Sequence, residues 1–381
     1  MRRLLGKLFS HPTPPTPVLP TIKSVVTTPS FVIDTQIVGN RLRDLRLALD
    51  PFNIKSKIAF SFKTNYDFAV SNFLHQHSLL AETVSEYEYQ LAKKSGFLAK
   101  NIIINGPNKG QLSRYLPTNS IIHLDNIEEV SQVESSKTHP TNIGIRVNTI
   151  NSPSRFGFNL ENGEAGSVIE RLRHQNIRIN SLHIHLGSDI YDYRLYQKAA
   201  LSIAQFINQS NLKVETIDFG GGFAAHGRIP YGRRFVPTPD INQYIGAIST
   251  LFQNIDYQPQ LILEPGRYLI DDATAFVTKA VSVKSKKGTQ IITVDSAITM
   301  LPSLWYRPPT IDITDPFFTT KNTHHSHTII YGSSCQEHDV LYTGSAARIT
   351  VGDLIIFYHV GAYNQSMAPQ FIFTIPPTQI V

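Results

Sequence analysis

Between residues 56 and 267 the chain repeats one pattern. A short run dense in Ile, Val, Leu and Phe gives way to a longer stretch with apolar side chains every three or four positions. The short runs lie in KIAFSFKT, LLAETVS, NIIINGP, SIIHLDN, TNIGIRVN, RINSLHIHLGS, VETIDFGGG and QLILEPGR. Helical spacing follows each, as in EYEYQLAKKSGF, NIEEVSQVESS, GSVIERLRHQN and YRLYQKAALSIAQFINQS. Continuous apolar runs alternating with helices predict buried parallel strands, and eight such units predict an α/β fold built on a (β/α)8 TIM barrel. Ahead of them, TPSFVIDTQIVGNRLRDLRLAL reads as a strand leading into a helix from Ile37 onward.

Past Arg267 the texture changes. YLIDDATAFVTKAVSVKSKKGTQIITVDSA, the stretch near residues 324–331 and DLIIFYHVGAY show strand-like alternation without intervening helices. They predict a C-terminal all-β domain. The expected organisation is a Pro-rich arm over 1–21, a first strand within 22–34 that joins the β domain, the barrel over 35–270 and the β domain over 271–381.

Composition narrows the function classes. The 381 residues are 41% hydrophobic and 17% charged, enough for a large core and two domains. A formal charge of +6 without a long Lys/Arg run suggests a small anionic ligand and no nucleic acid. No apolar run approaches the roughly 20 residues that span a bilayer. The basic start MRRLLGKLFSHPTPPTPVLPT is broken by prolines and lacks a signal peptide's continuous apolar core, so the expected location is cytoplasmic and no membrane partner is expected. The lone Cys335 excludes an intramolecular disulfide. His324, His325 and His327 sit together without nearby acidic ligands, so they are expected in a solvated loop and no metal site is expected.

Chemistry in a (β/α) barrel collects at the C-terminal ends of the strands. Lys63 lies there inside an apolar and aromatic run, where an ammonium needs a partner or a use. HIHLGS brings His185 and Ser188, IDFGGGF brings Gly220, Gly221 and Gly222, and LEPGR brings Glu264 and Arg267. Each has an ordinary reading: a core histidine, a tight turn, a surface ion pair. Together and in order they meet the needs of pyridoxal 5'-phosphate. Lys63 offers the amine for covalent attachment, the glycines with Ser188 and Arg267 a phosphate cradle, and His185 a flat face for the ring. Glu264 offers a carboxylate that keeps the pyridine nitrogen protonated.

At this point the chain resembles the fold-type III pyridoxal-phosphate decarboxylases, the group of diaminopimelate and ornithine decarboxylases, from about Thr28 to Phe373. SFKTN is similar to their lysine motif, and ETVSEYEYQLAKKSGF followed by IIINGPNK to the diaminopimelate branch. HLGS, DFGGGF and EPGR are similar to the ring-stacking, phosphate and pyridine-nitrogen motifs, GSSCQEHD to the interface cysteine motif and VGAYNQSM to a tyrosine motif near the phosphate. The resemblance implies an alanine-racemase-like barrel plus β domain, in a homodimer with shared active sites. It places Glu82 and Tyr363 at the cofactor, makes Lys63, Glu264 and Cys335 catalytic, with Cys335 serving the partner subunit's site, and puts Gln336 and Glu337 at the substrate.

The chain departs from the diaminopimelate pattern in two places. TMLPSLWYR has Leu301 where that branch carries an arginine and Trp305 in place of a tyrosine, and Gln336 replaces the acidic residue after the cysteine. Losing a charged partner for a charged substrate end costs at least about 2 kcal/mol, roughly thirtyfold in affinity. The loop AAHGRIPYGRRFVPTPD, with Arg228, Arg233 and Arg234, offers cationic contacts to a larger substrate. The expected activity is removal of the α-carboxylate from a modified or conjugated amino acid in a specialised biosynthetic pathway, such as siderophore or peptide-antibiotic synthesis. The alternatives are diaminopimelate decarboxylase, an amino-acid racemase, which Glu264 opposes, and a non-catalytic homologue that binds a partner protein.

Overall fold

The computed structural model describes residues 27–137, 142–151, 154–231, 234–322 and 326–381, and side chains are not described for 228–235. The arm over 1–21, the start of the 22–34 segment, Arg233, His324 and His325 lie outside the described residues. Two compact units form. One takes Arg41–Ala224 and Pro239–Tyr268, and the other Ala225–Thr238, Leu269–Val381 and the described residues up to Asn40.

The first unit is the barrel. Its strands are Ser56–Ser61, Leu80–Thr83, Ile102–Ile104, Ile121–Leu124, Ile143–Asn148, Ser181–Ile184, Thr216–Asp218 and Gln260–Leu263. All pair in parallel, and the ring closes where Gln260–Leu263 pairs with Ser56–Ser61. These are the eight runs expected. Helices start where the sequence can cap them: Asp67, Ser85 and Asn126 accept backbone N–H bonds at the starts of Phe68–Gln76, Glu86–Lys94 and Ile127–Glu134. One crossover differs from expectation. Between Ile102–Ile104 and Ile121–Leu124 only the short 3-10 turns Leu112–Arg114 and Leu116–Thr118 form. Pro107 and Pro117, with Gly106 and Gly110 at positive φ, interrupt any longer helix there.

The second unit is mostly sheet. The strand Thr274–Lys286 pairs with Ser30–Ile33, with Thr289–Val294 and with Leu354–Tyr358. One side chain set of this sheet, including Phe31, Phe276, Leu301, Ile355 and Phe357, packs as its core. One segment expected as a loop contains paired strands, and His327, expected in a loop, lies on a strand within the stretch near residues 324–331 whose alternation is strand-like. Arg228–Tyr231 pairs antiparallel with Arg234–Pro237, and His327 sits on the strand Ser326–Tyr331, its Nδ1 3.3 Å from the Gly344 carbonyl oxygen. Their β-branched and aromatic residues pair readily, which outweighs the polar composition around them. No helix among the described residues is long and apolar enough to cross a membrane.

Candidate active site

Side chains of a barrel strand alternate between interior and exterior, so residues two apart form successive interior layers. Ala59, Leu80, Ile103 and Ile262 make one apolar layer, with Ile121 against it. Two positions further along the same strands stand Ser61, Glu82, Asn105, His123 and Glu264, and the remaining strands add Arg146, His183 and Asp218. The second layer is therefore polar and sealed: Glu82 is 1% exposed, Asp218 0% and Glu264 3%. Burying ionisable groups costs several kcal/mol unless they pair, so such a layer marks a functional site.

Lys63 lies just beyond its strand, in the 3-10 turn Phe62–Thr64. Its Nζ donates to Glu82 Oε2 at 2.6 Å, and Ser61 Oγ donates to the same oxygen at 2.5 Å. Glu82 is thus no surface carboxylate but the buried counter-ion of a lysine whose side chain is one third exposed, at 33%. Asn105 Nδ2 donates to Glu264 Oε1 at 2.7 Å and lies 3.4 Å from Glu82 Oε1. His183 Nε2 is 3.5 Å from Glu264 Oε2, and one polar atom each of His183, Asp218 and Glu264 falls within 4.8 Å of the others. Burial pushes the carboxyls of Asp218 and Glu264 up, Asp218 further because Glu264 stands beside it, whereas Lys63 pulls Glu264 back. Burial also holds His123 and His183 well below the ordinary imidazole value and pushes His185 down to about 3. All three rings are neutral.

The glycine turn packs against this layer. A Cβ on Gly221 would lie 2.3 Å from the Glu264 carbonyl oxygen, and one on Gly222, at φ +96°, 2.3 Å from the Gly187 carbonyl oxygen. Only glycine lets these backbones approach. Gly220 N–H donates to Asp218 Oδ1 at 2.8 Å and Gly221 N–H to His185 Nδ1 at 3.3 Å, so two of the three amides expected to face a phosphate are engaged inside the turn. The second bond fixes the His185 ring beside it. Ser188 is exposed, and the Arg267 Nε lies 3.2 Å from Asp189 Oδ1, on the same loop.

The other expected residues belong to the sheet unit. Cys335, Gln336 and Glu337 are exposed on the loop between Ser326–Tyr331 and Val340–Ala346. Asp339, 1% exposed, fixes that loop by accepting from Ile298 N and Ser334 N at 2.6 and 2.9 Å. Tyr363 is half-buried at φ +61°, in the turn after Leu354–Tyr358. Leu301 is fully buried in the sheet core and offers nothing to a ligand.

Sequence reasoning missed Asn105, His123, Arg146, His183 and Asp218. A signal was present for two of them, since Asn105 and His123 stand two positions after Ile103 and Ile121 of the apolar layer.

A family model described as "Pyridoxal-dependent decarboxylase, pyridoxal binding domain" matches residues 36–271. The diaminopimelate decarboxylase of Zymomonas mobilis is 26% identical over 379 residues, covering 93% of this chain and 87% of the relative. That of Methanocaldococcus jannaschii is 25% identical over 342 residues, covering 82% and 76%. Among solved structures, the lysine/ornithine decarboxylase of Vibrio vulnificus complexed with cadaverine superposes with a TM-score of 0.80 at 21% identity, covering 93% of this chain and 94% of the other.

Proposed function

We propose that this chain, which belongs to the pyridoxal-dependent decarboxylase family and is a pyridoxal-phosphate-dependent amino-acid decarboxylase, removes one α-carboxylate of diaminopimelate. The observation that carries the substrate is the run of curated relatives, which are diaminopimelate decarboxylases matched over most of their length. This favours the alternative weighed in the sequence over the modified amino acid.

The residues present fit the cofactor. A partly exposed amine, Lys63, stands at the rim of a sealed polar layer that ends in a buried carboxylate, Glu264. The glycine turn packs directly against the backbone of Glu264, so closely that a Cβ on Gly221 would lie 2.3 Å from its carbonyl oxygen. Lys63 would hold the cofactor covalently, Glu264 would accept from its ring nitrogen, His185 would cover its ring, and Gly222, Ser188 and Arg267 would meet its phosphate. Bound there, the cofactor supplies an electron sink for the pair left when carbon dioxide departs.

The chain's own groups do the rest. Glu82 keeps the Lys63 ammonium oriented and, being buried, acts on it in a low dielectric. Gly221 N–H holds His185 Nδ1 as an acceptor, which sets the ring plane. In the homodimer that the resemblance implies, Cys335 would return a proton to the α-carbon in the partner subunit's site. Gln336 and Glu337 would flank the far end of the substrate.

One observation favours the second reading, a modified or conjugated amino acid. Leu301 is fully buried among apolar neighbours, so the cation of the diaminopimelate pattern is absent at that position. Carbon dioxide release measured with meso-diaminopimelate, lysine, ornithine and arginine decides between them, with Lys63→Ala as control. Release from meso-diaminopimelate alone, abolished in the control, is expected. No release from any of the four, in a protein that has taken up its cofactor, would overturn the diaminopimelate reading in favour of a larger substrate.

A further inference from the structure

Asn105 and His123 of the polar layer, with Ser181 beside them, take no part in the chemistry above, yet they form a continuous chain that ends on Glu264. Ser181 Oγ lies 2.9 Å from His123 Nε2, and His123 Nδ1 lies 2.7 Å from Asn105 Oδ1. Asn105 Nδ2 then reaches Glu264 Oε1 at 2.7 Å and Glu82 Oε1 at 3.4 Å.

The direction of every bond follows from one end. Glu82 accepts from Lys63 and from Ser61, so it stands at that end as an acceptor. The edge of Asn105 that faces Glu82 and Glu264 must therefore be its NH2, because a carbonyl there would point at two carboxylates. The Asn105 oxygen then faces His123, whose Nδ1 must carry the ring proton. With one proton on a neutral ring, Nε2 is the acceptor and Ser181 the donor. His123 is fully buried, and its ring stacks on His183 at a centroid distance of 4.9 Å and an interplanar angle of 8°. Space for the pair exists because residue 144 is glycine: a Cβ there would sit 2.0 Å from Ser181 Oγ and 2.7 Å from His123 Cδ2.

We propose that Asn105 and His123 are positioning residues that hold Glu264 as an ionised acceptor toward the cofactor's ring nitrogen. This rests on the cofactor placement proposed above. Around Glu264 stand Lys63, Arg146, Asp218, His183 and the Asn105 amide, which Glu82 shares, and around His123 stand His183, Lys109 and Arg146. Of these neighbours, the Asn105 amide is the donor whose orientation another residue dictates. It supplies a hydrogen bond to Glu264 without offering a titratable proton.

The test is the pH dependence of the visible absorption of the cofactor-loaded protein between about pH 6 and 9, with kcat/KM alongside. Glu264→Gln first establishes that the band reports on Glu264. Asn105→Asp is near-isosteric but turns the donor into a second carboxylate, which must share a proton with Glu264. It is expected to displace the titration midpoint by about one unit and to lower kcat/KM by about tenfold. His123→Leu frees the amide to turn and is expected to displace the profile in the same direction. His123→Asn keeps a donor facing Asn105 and should restore the wild-type profile, which a merely structural role would not produce. If Glu264→Gln displaces the profile while Asn105→Asp and His123→Leu both keep it, the positioning role is wrong and the cofactor placement stands. If Glu264→Gln leaves the profile unchanged, the placement of Glu264 fails and the positioning role falls with it. Should Asn105→Asp not fold, the contrast between His123→Leu and His123→Asn decides.

Discussion

Lys109 shows most directly how the polar interior is held together. Its side chain is 0% exposed, and its Nζ donates to Glu129 Oε2 and to the Gly106 carbonyl, both at 2.6 Å. The second bond ties down the turn immediately after Asn105. Glu129 Oε2 also accepts from Asp125 N at 2.8 Å, and Asp125 Oδ1 lies 3.3 Å from Arg146 Nη1 in the polar layer. Lys109→Met keeps the volume of the stem and removes the charge. Glu129 is then left as a buried carboxylate with one backbone donor, and breaking such a pair from one side costs about 3 to 5 kcal/mol. Lys109→Met/Glu129→Gln neutralises the orphan while keeping an acceptor for Asp125 N. The double variant should therefore lie closer to wild type than the single variant, with a coupling energy of about 2 kcal/mol. Urea unfolding of the four proteins at neutral pH measures it, and comparison within the cycle cancels errors common to all. A loss below about 1 kcal/mol for Lys109→Met, or a double variant as unstable as the summed singles, would refute the reasoning.

Gly144→Ala would push a Cβ to 2.0 Å from Ser181 Oγ and 2.5 Å from the Ser181 carbonyl oxygen, so it should lower stability by about 1 to 3 kcal/mol. Adding Ser181→Ala should not restore the thermal midpoint, because the backbone clash remains. Glu82→Gln removes the charge opposite Lys63 and should lower kcat/KM by roughly ten- to a hundredfold, the worth of a charge-assisted hydrogen bond, with secondary structure unchanged by circular dichroism. For His183 the folded pKa lies below the ordinary 6.5, so the unfolded chain takes up an extra proton below that pH and stability is lost as acid is added. Relative to His183→Asn, wild type should lose about 2 kcal/mol between pH 6.5 and 5, measured by urea unfolding; a pH-independent difference would contradict the neutral buried ring.

The barrel was legible because its strands are continuous apolar runs, and the sheet unit because its alternation lacks helices. Lys63, the glycine turn and EPGR stood out because each breaks local pattern at a strand end. The interior histidines and Asn105 did not, because a single polar residue at the end of an apolar run reads as the strand's exit. Only once the register is known do Glu82, Asn105, His123 and Glu264 fall into one layer. Length alone did not secure the crossover over 105–120 as a helix, since its prolines and positive-φ glycines outweigh it. Nor did composition mark Arg228–Tyr231 and Arg234–Pro237 as strands, where the ladder between them decides.

The central claim is that Lys63 anchors the cofactor. Borohydride reduction of the cofactor-loaded protein, followed by digestion and peptide mass mapping, tests it in one step. We expect the added cofactor mass on the peptide containing Lys63, and no stable adduct in Lys63→Ala. The same mass on another lysine, or an unchanged pattern in the variant, would contradict the claim.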